Sequence, residues 1–117
     1  MLYTAQYRYA GRDRIDITVK GNDIAGKLYA PTCSMVRRYK EGTMTEAEYT
    51  KLYYDLLIQR WENQACQEEM KNLVKITRDD GRDITVVCFC APATFCHRYL
   101  LVRFMGHNFQ VPYGGER

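Results

Sequence analysis

Cys88, Cys90, Cys96, His97 and Arg98 crowd into one short stretch of the chain, and residues of these types support three kinds of chemistry. The first is anion binding. With Thr94 as a helix cap, Cys96, His97 and Arg98 fall in the first turn. There, unpaired N–H groups and the positive end of the helix dipole attract phosphate or carboxylate, and Arg98 offers a two-pronged fork. Arg12 and Arg14, shortly after the first predicted strand, reach the same crevice. The plain alternative leaves Arg98 on a solvated helix face. The second chemistry is nucleophilic. A thiol in a first helical turn beside His97 and Arg98 has a lowered pKa, which makes Cys96, and after it Cys88, candidate nucleophiles with His97 as a further reacting group. Against this, cysteines pack well as small hydrophobes, and neither a Cys-x-x-Cys pair nor a Cys-x5-Arg loop is present, since seven residues separate Cys90 from Arg98. The third is zinc, for which Cys-x-Cys-x5-Cys-His holds four ligand types. Neighbours on a helix point about 100° apart, so Cys96 and His97 meet at one ion only if the helix starts later. The sequence therefore assigns no metal and needs no cofactor.

These residues must be positioned by a strand and a helix. The run Ile84 to Phe89 is almost continuously apolar, as in a central strand covered on both faces, and Asp79-Asp80-Gly81-Arg82 makes a polar turn into it. A loop then leads to the last helix, capped by Thr94, with Leu100, Leu101, Phe104 and Met105 inward and Gly106 closing it. Phe109 to Val111 is expected to add a short strand. At the other end, Leu2 to Tyr9 alternates in the period of a strand with Tyr3, Tyr7 and Tyr9 on one face. Ala10-Gly11-Arg12-Asp13 turns the chain into a second extended segment, Ile15 to Val19. Gly11-Arg12-Asp13 and the residues after it echo Gly81 to Val86, without further repetition. Residues 24 to 31 read as irregular, a candidate binding loop.

Thr32 caps a short helix that stops at Gly42. Thr45 and Glu48 fit a capping box for a longer one, whose stripe Tyr49, Leu52, Tyr53, Leu56, Leu57 and Trp61 is core and which bends near Asn63 before Ala65, Met70, Leu73 and Val74 continue it. Cys33 and Cys66 lie on helical stripes and are assigned to packing. His107 is expected to be exposed, and Asp16 and Asp23 have no substrate placed beside them.

Composition narrows the class. A chain of 117 residues, 46% hydrophobic, suits one domain over 1–117 with one ordinary core. The charge of +3 comes from 17 basic and 14 acidic residues without a dense basic run, so charge alone names no partner. Five cysteines and a first segment unlike a secretory leader favour free thiols and a cytoplasmic location. No apolar run approaches the ~18–20 residues that cross a bilayer, so no membrane partner is expected.

Val86-Val87-Cys88-Phe89-Cys90 through Cys96-His97-Arg98-Tyr99-Leu100-Leu101 resembles the signature of the DUF488 family, a strand-borne Cys with a downstream Cys-His-Arg and leucines. The resemblance also takes in Tyr7-Arg8-Tyr9, Gly11 to Thr18, Ala30-Pro31-Thr32, the Tyr49 helix and Tyr113-Gly114-Gly115. It implies a small α/β domain of uncharacterised function. It matches Cys88, Cys96, His97 and Arg98 to the motif, while Cys90 stands where many members carry another residue. Compact relatives occur in bacteria and phages, which leaves open a role in phage–host conflict.

Together these readings predict a three-layer α/β domain with a mostly parallel sheet, strands 2–9 and 84–89 side by side, and a crevice made by Gly11–Thr18 and Cys90–Arg98. The expected ligand is an anionic small molecule, nucleotide-like or phosphorylated. Arg98, Arg12 and Arg14 would clamp it, Tyr7 and Thr94 would line its site, and Cys96, His97 and Cys88 would be the reacting groups. On this reading Arg98→Ala weakens binding without unfolding the domain. The rival is a non-catalytic module that docks on a host protein or a nucleic acid, its cysteines merely packing the strand–helix junction.

Overall fold

The computed structural model describes residues 1–91 and 94–117. Its centre is β3, Ile84–Cys88, all five residues of which are buried, as their continuous apolar character requires. β1, Leu2–Gln6, runs parallel to β3 with Leu2 opposite Ile84 and Gln6 opposite Cys88. On the other side of β3 lies β2, Arg14–Asp16, and outside β1 lies β4, Tyr113–Glu116. All the pairings are parallel, in the order β2-β3-β1-β4. The chain is a small α/β domain.

Among the described residues, five α-helices connect these strands. α1, Ile24–Lys27, occupies part of the segment expected to be irregular, because the Asp23 carboxylate accepts from the Gly26 N–H and nucleates one turn. Gly26 is needed there, since a side chain would strike the Asp16 carbonyl of β2. α2, Cys33–Lys40, is capped by Thr32, and the chain leaves it through Gly42 at φ +77°, where glycine carries no Cβ penalty. α3, Glu46–Glu62, opens on the expected capping box of Thr45 and Glu48. Asn63, in extended conformation, ends α3 and caps α4, Gln64–Val74, so the expected bend is a full break. One π-helical turn, Lys75–Asp79, follows. α5, His97–Phe109, returns to the sheet.

Leu2, Ile84, Val86 and Cys88 form one continuous core with Leu100, Leu101 and Met105 of α5, Tyr53 and Leu57 of α3, and Met70 and Leu73 of α4. On the opposite face Thr85 donates to Asp13 Oδ2 at 2.6 Å, Tyr9 donates to Asp13 Oδ1 at 2.7 Å, and the Arg117 guanidinium lies 3.9 Å from the Tyr3 ring centroid. No helix among the described residues is long and apolar enough to cross a membrane.

Several boundaries differ from the sequence reading. β1 stops at Gln6 because the chain turns there, Tyr9 N–H donating to Gln6 O, so Tyr7 and Tyr9 lie beyond the strand. β2 is three residues long and begins at Arg14 rather than Ile15. The last helix is closed by Gln110 at φ +55°, with Gly106 inside it. The final strand is Tyr113–Glu116, beyond the expected Phe109 to Val111. Its glycine lets it close on β1, since a side chain at Gly114 would collide with the Tyr3 ring. Cys33 is exposed, not packed.

Candidate functional site

β3 delivers Cys88 to the C-terminal end of the sheet with its side chain turned into the core, 1% exposed. The chain then leaves the sheet through Phe89 and Cys90 and re-enters the core at Cys96. The first turn of α5 differs from expectation. Cys96, not Thr94, is the N-cap, and its backbone is extended at φ −157°, so the helix begins at His97. Thr94 is exposed and its hydroxyl donates to Ala91 O. The expected loop at 90–94 lies in part, at Pro92 and Ala93, outside the described residues.

This later start brings adjacent residues together. Cys88 Sγ and Cys96 Sγ are 2.7 Å apart, and Cys96 Sγ is 3.7 Å from His97 Nδ1. Ligand atoms of Cys88, Cys96 and His97, all buried, lie within 4.8 Å of one another. His97 Nε2 is 2.8 Å from Ile17 O. A carbonyl only accepts, so Nε2 carries the proton and the Nδ1 lone pair faces the sulfurs. Burial lowers the pKa of this imidazole and keeps it neutral.

Cys90 completes the sulfur group. Hydrogen bonds from the Cys88 and Cys96 thiols, with Arg98 and Lys40 adding positive charge, pull the Cys90 thiol down to about 3. The same bonds to Cys88 and Cys90, together with burial, push Cys96 far up, because its proton is held in the network.

Arg98 lies beneath them and is wholly buried. Its Nη1 donates to Cys88 Sγ and to Cys90 O, both at 2.9 Å. Its Nη2 donates to Glu116 Oε2 at 2.8 Å and to Tyr99 Oη at 2.9 Å. Burial alone would lower the pKa of this guanidinium, but its bonds to Glu116 and Cys88 raise it. The solvated-face alternative is overturned, because the side chain has no exposed surface. Its charge is turned toward sulfur and the Glu116 carboxylate of β4.

Above the sulfurs opens a cavity of about 440 Å³. Cys88, Cys90, Cys96 and His97 line it together with Tyr39, Phe95 and Phe89, and Lys20 and Lys40 stand among its walls, both exposed. Phe89 is 70% exposed. It stacks on Tyr7 with centroids 4.0 Å apart, and the Arg14 guanidinium lies 4.6 Å from the centroid of the Tyr7 ring. Arg14 also donates to Tyr9 O and Tyr7 O. It therefore braces the turn that carries Tyr7. Arg12 is exposed on that turn.

The structure therefore brings together Cys88, Cys96, His97 and Arg98 as a bonded group, with Tyr7 beside it beneath Phe89. Lys20, Lys40 and Glu116 were missed, and Cys90 was weighed as a zinc ligand type but given no place in the expected site. Cys90 had a signal, its Cys-x-Cys spacing on a strand end. Lys20 and Lys40 had none, because no local pattern tells that a lysine after β2 and one ending α2 will face the same cavity. Asp16 and Asp23 serve structure: Asp16 accepts from Thr18 and Tyr7, and Asp23 caps α1.

A parallel α/β sheet that carries thiols, a neutral imidazole and a buried guanidinium to one strand–helix junction defines a small domain with a sulfur-centred site. Residues 2–108 match the family model described as the active DUF488-N3 subclade, and the chain belongs to the DUF488 family. Comparison with curated proteins and with solved structures gives no match.

Proposed function

We propose that the cavity over the sulfur group binds an anionic, nucleotide-like or phosphorylated small molecule and presents Cys90 to it as the reacting thiol. The observation that carries this reading is the lining of the cavity, where aromatic side chains, two lysines and three sulfurs meet in one concave space. A planar ring stacks on the open face of Phe89, which Tyr7 backs from below. The anionic part of the ligand pairs with Lys20 and Lys40, whose exposed ammonium groups lack a carboxylate within 4.0 Å among the described salt bridges. Cys88 and Cys96 hold the Cys90 sulfur by hydrogen bonds, His97 holds Cys96, and Arg98 supports the sulfur group from beneath. The description of the matching subclade as active agrees with a working site.

The test is alkylation of the reduced, chelator-treated protein with iodoacetamide, mapped by peptide mass. The Cys90 sulfur forms a bond to the reagent's methylene carbon as iodide leaves. Cys90 is expected to label well ahead of buried Cys88 and Cys96. Adenosine monophosphate or ribose 5-phosphate at millimolar concentration should slow that labelling several-fold, and the double variant Lys20→Ala/Lys40→Ala should lose the protection. Equal labelling with and without both phosphates overturns the reading.

A further inference from the structure

We propose that Cys88, Cys96 and His97 bind one zinc ion, with Cys90 as the fourth ligand on the cavity side. The inference goes beyond the anion-binding reading and does not depend on it: zinc takes the Cys90 sulfur in the metal-bound protein, and that sulfur is the reacting thiol in the metal-free protein. Zinc takes thiolate sulfur and imidazole nitrogen in tetrahedral sets, commonly three cysteines and one histidine, and that donor set is assembled at the end of β3. The adjacency of Cys96 and His97 is no obstacle here. Cys96 stands outside the helical ladder in extended conformation, so its sulfur and His97 Nδ1 point into the same space, 3.7 Å apart.

Three further features fit a metal site. The imidazole is oriented as zinc-binding histidines are, with Nε2–H donating to a backbone carbonyl, Ile17 O at 2.8 Å, and Nδ1 turned to the ligand cluster. Arg98 donates to Cys88 Sγ at 2.9 Å, the kind of outer hydrogen bond that metal thiolates accept. Zn²⁺ offsets two of the three thiolate charges, and the Arg98 guanidinium, shared between Cys88 and Glu116, adds positive charge beside them. The cavity supplies an entry path, since all four ligand residues line it. Sulfurs on one tetrahedral zinc stand about 3.7 Å apart, as Zn–S bonds of about 2.3 Å dictate. Cys88 and Cys96 therefore move apart from 2.7 Å as the ion enters. Cys96 Sγ makes no capping bond to the helix, so its turn gives up only the contacts to the other ligand residues.

The experiment titrates Co²⁺ and then Zn²⁺ into reduced, metal-free full-length protein. Co²⁺ is expected to give thiolate-to-metal charge-transfer absorption and the ligand-field bands of a tetrahedral site at one equivalent, and Zn²⁺ should abolish both. Cys96→Ser should weaken binding at least tenfold, and Cys90→Ser, which leaves three ligands, should weaken it less and shift the ligand-field bands. Cys33→Ser, at an exposed thiol, should change nothing and serves as the control for stray thiol binding. Absence of tetrahedral bands in the wild type, or bands undiminished in Cys96→Ser that retains its native circular dichroism, overturns the site. Phosphate protection of Cys90 in metal-free protein is read separately, so either reading can fail alone.

Discussion

Two helix-borne arginines, Arg60 on α3 and Arg98 on α5, donate to groups in the interior, and they do opposite work. Arg60 donates through Nη1 to two backbone carbonyls, Leu28 O at 2.6 Å and Ala30 O at 2.7 Å, and so ties α3 to the segment after α1. No described salt bridge includes it, and burial lowers its pKa. Arg98 is more deeply buried, yet its pKa is raised, because its fork spans the Glu116 carboxylate and the Cys88 sulfur. A guanidinium spent on carbonyls braces a loop, whereas one spent on groups that take negative charge makes a site where charge is stabilised.

The comparison breaks hardest at Arg98. The sequence reading expected Arg98→Ala to leave the fold intact, but removing this buried side chain takes the cation from the Glu116 carboxylate, which keeps Tyr99 as its partner on α5, and takes the donor from Cys88 Sγ and Cys90 O. Breaking such a pair costs about 3 kcal/mol, read as a lowered urea midpoint. Arg60→Ala should cost less, about 2 kcal/mol, for two carbonyls left without a donor. If Arg60→Ala proves the more damaging of the two, the distinction fails.

Acid sharpens it further. Burial raises the pKa of Glu116, but bonds from Arg98, Thr4 and Tyr99 outweigh it and hold the carboxyl below its ordinary value of 4.5. A carboxyl depressed in the folded state contributes stability above its ordinary pKa, and that contribution is lost as pH falls through the folded value. The wild type should therefore lose more stability than Glu116→Gln as pH drops from about 5 toward 2, measured by urea unfolding at each pH. The cost of Arg60→Ala, which involves no carboxylate, should stay the same across that range.

Much of the frame was legible because it rests on local rules. The capping box of Thr45 and Glu48 acts within four residues, the β-rich run at Ile84 announces a central strand, and the Asn63 side chain starts α4 by accepting from the Cys66 N–H. The site was legible in its residue types and not in its geometry. Thr94 looked like the cap because its hydroxyl suits the role, but the hydroxyl bonds Ala91 O and the helix starts at His97. That shift of a few residues decides whether Cys96 and His97 diverge or converge.

What the sequence by itself determined is the strands at Leu2 and Ile84, the helices and most of their caps, and the residue types gathered at the junction. Each follows from periodicity and short-range hydrogen bonding. Only the tertiary structure decided that β4 closes on β1 and lends Glu116 to Arg98, that Ile17 fixes the tautomer of His97, and that Lys20 and Lys40 face one cavity. Those contacts join residues far apart in the chain, and a buried charge takes its partners from whatever the packed fold places beside it.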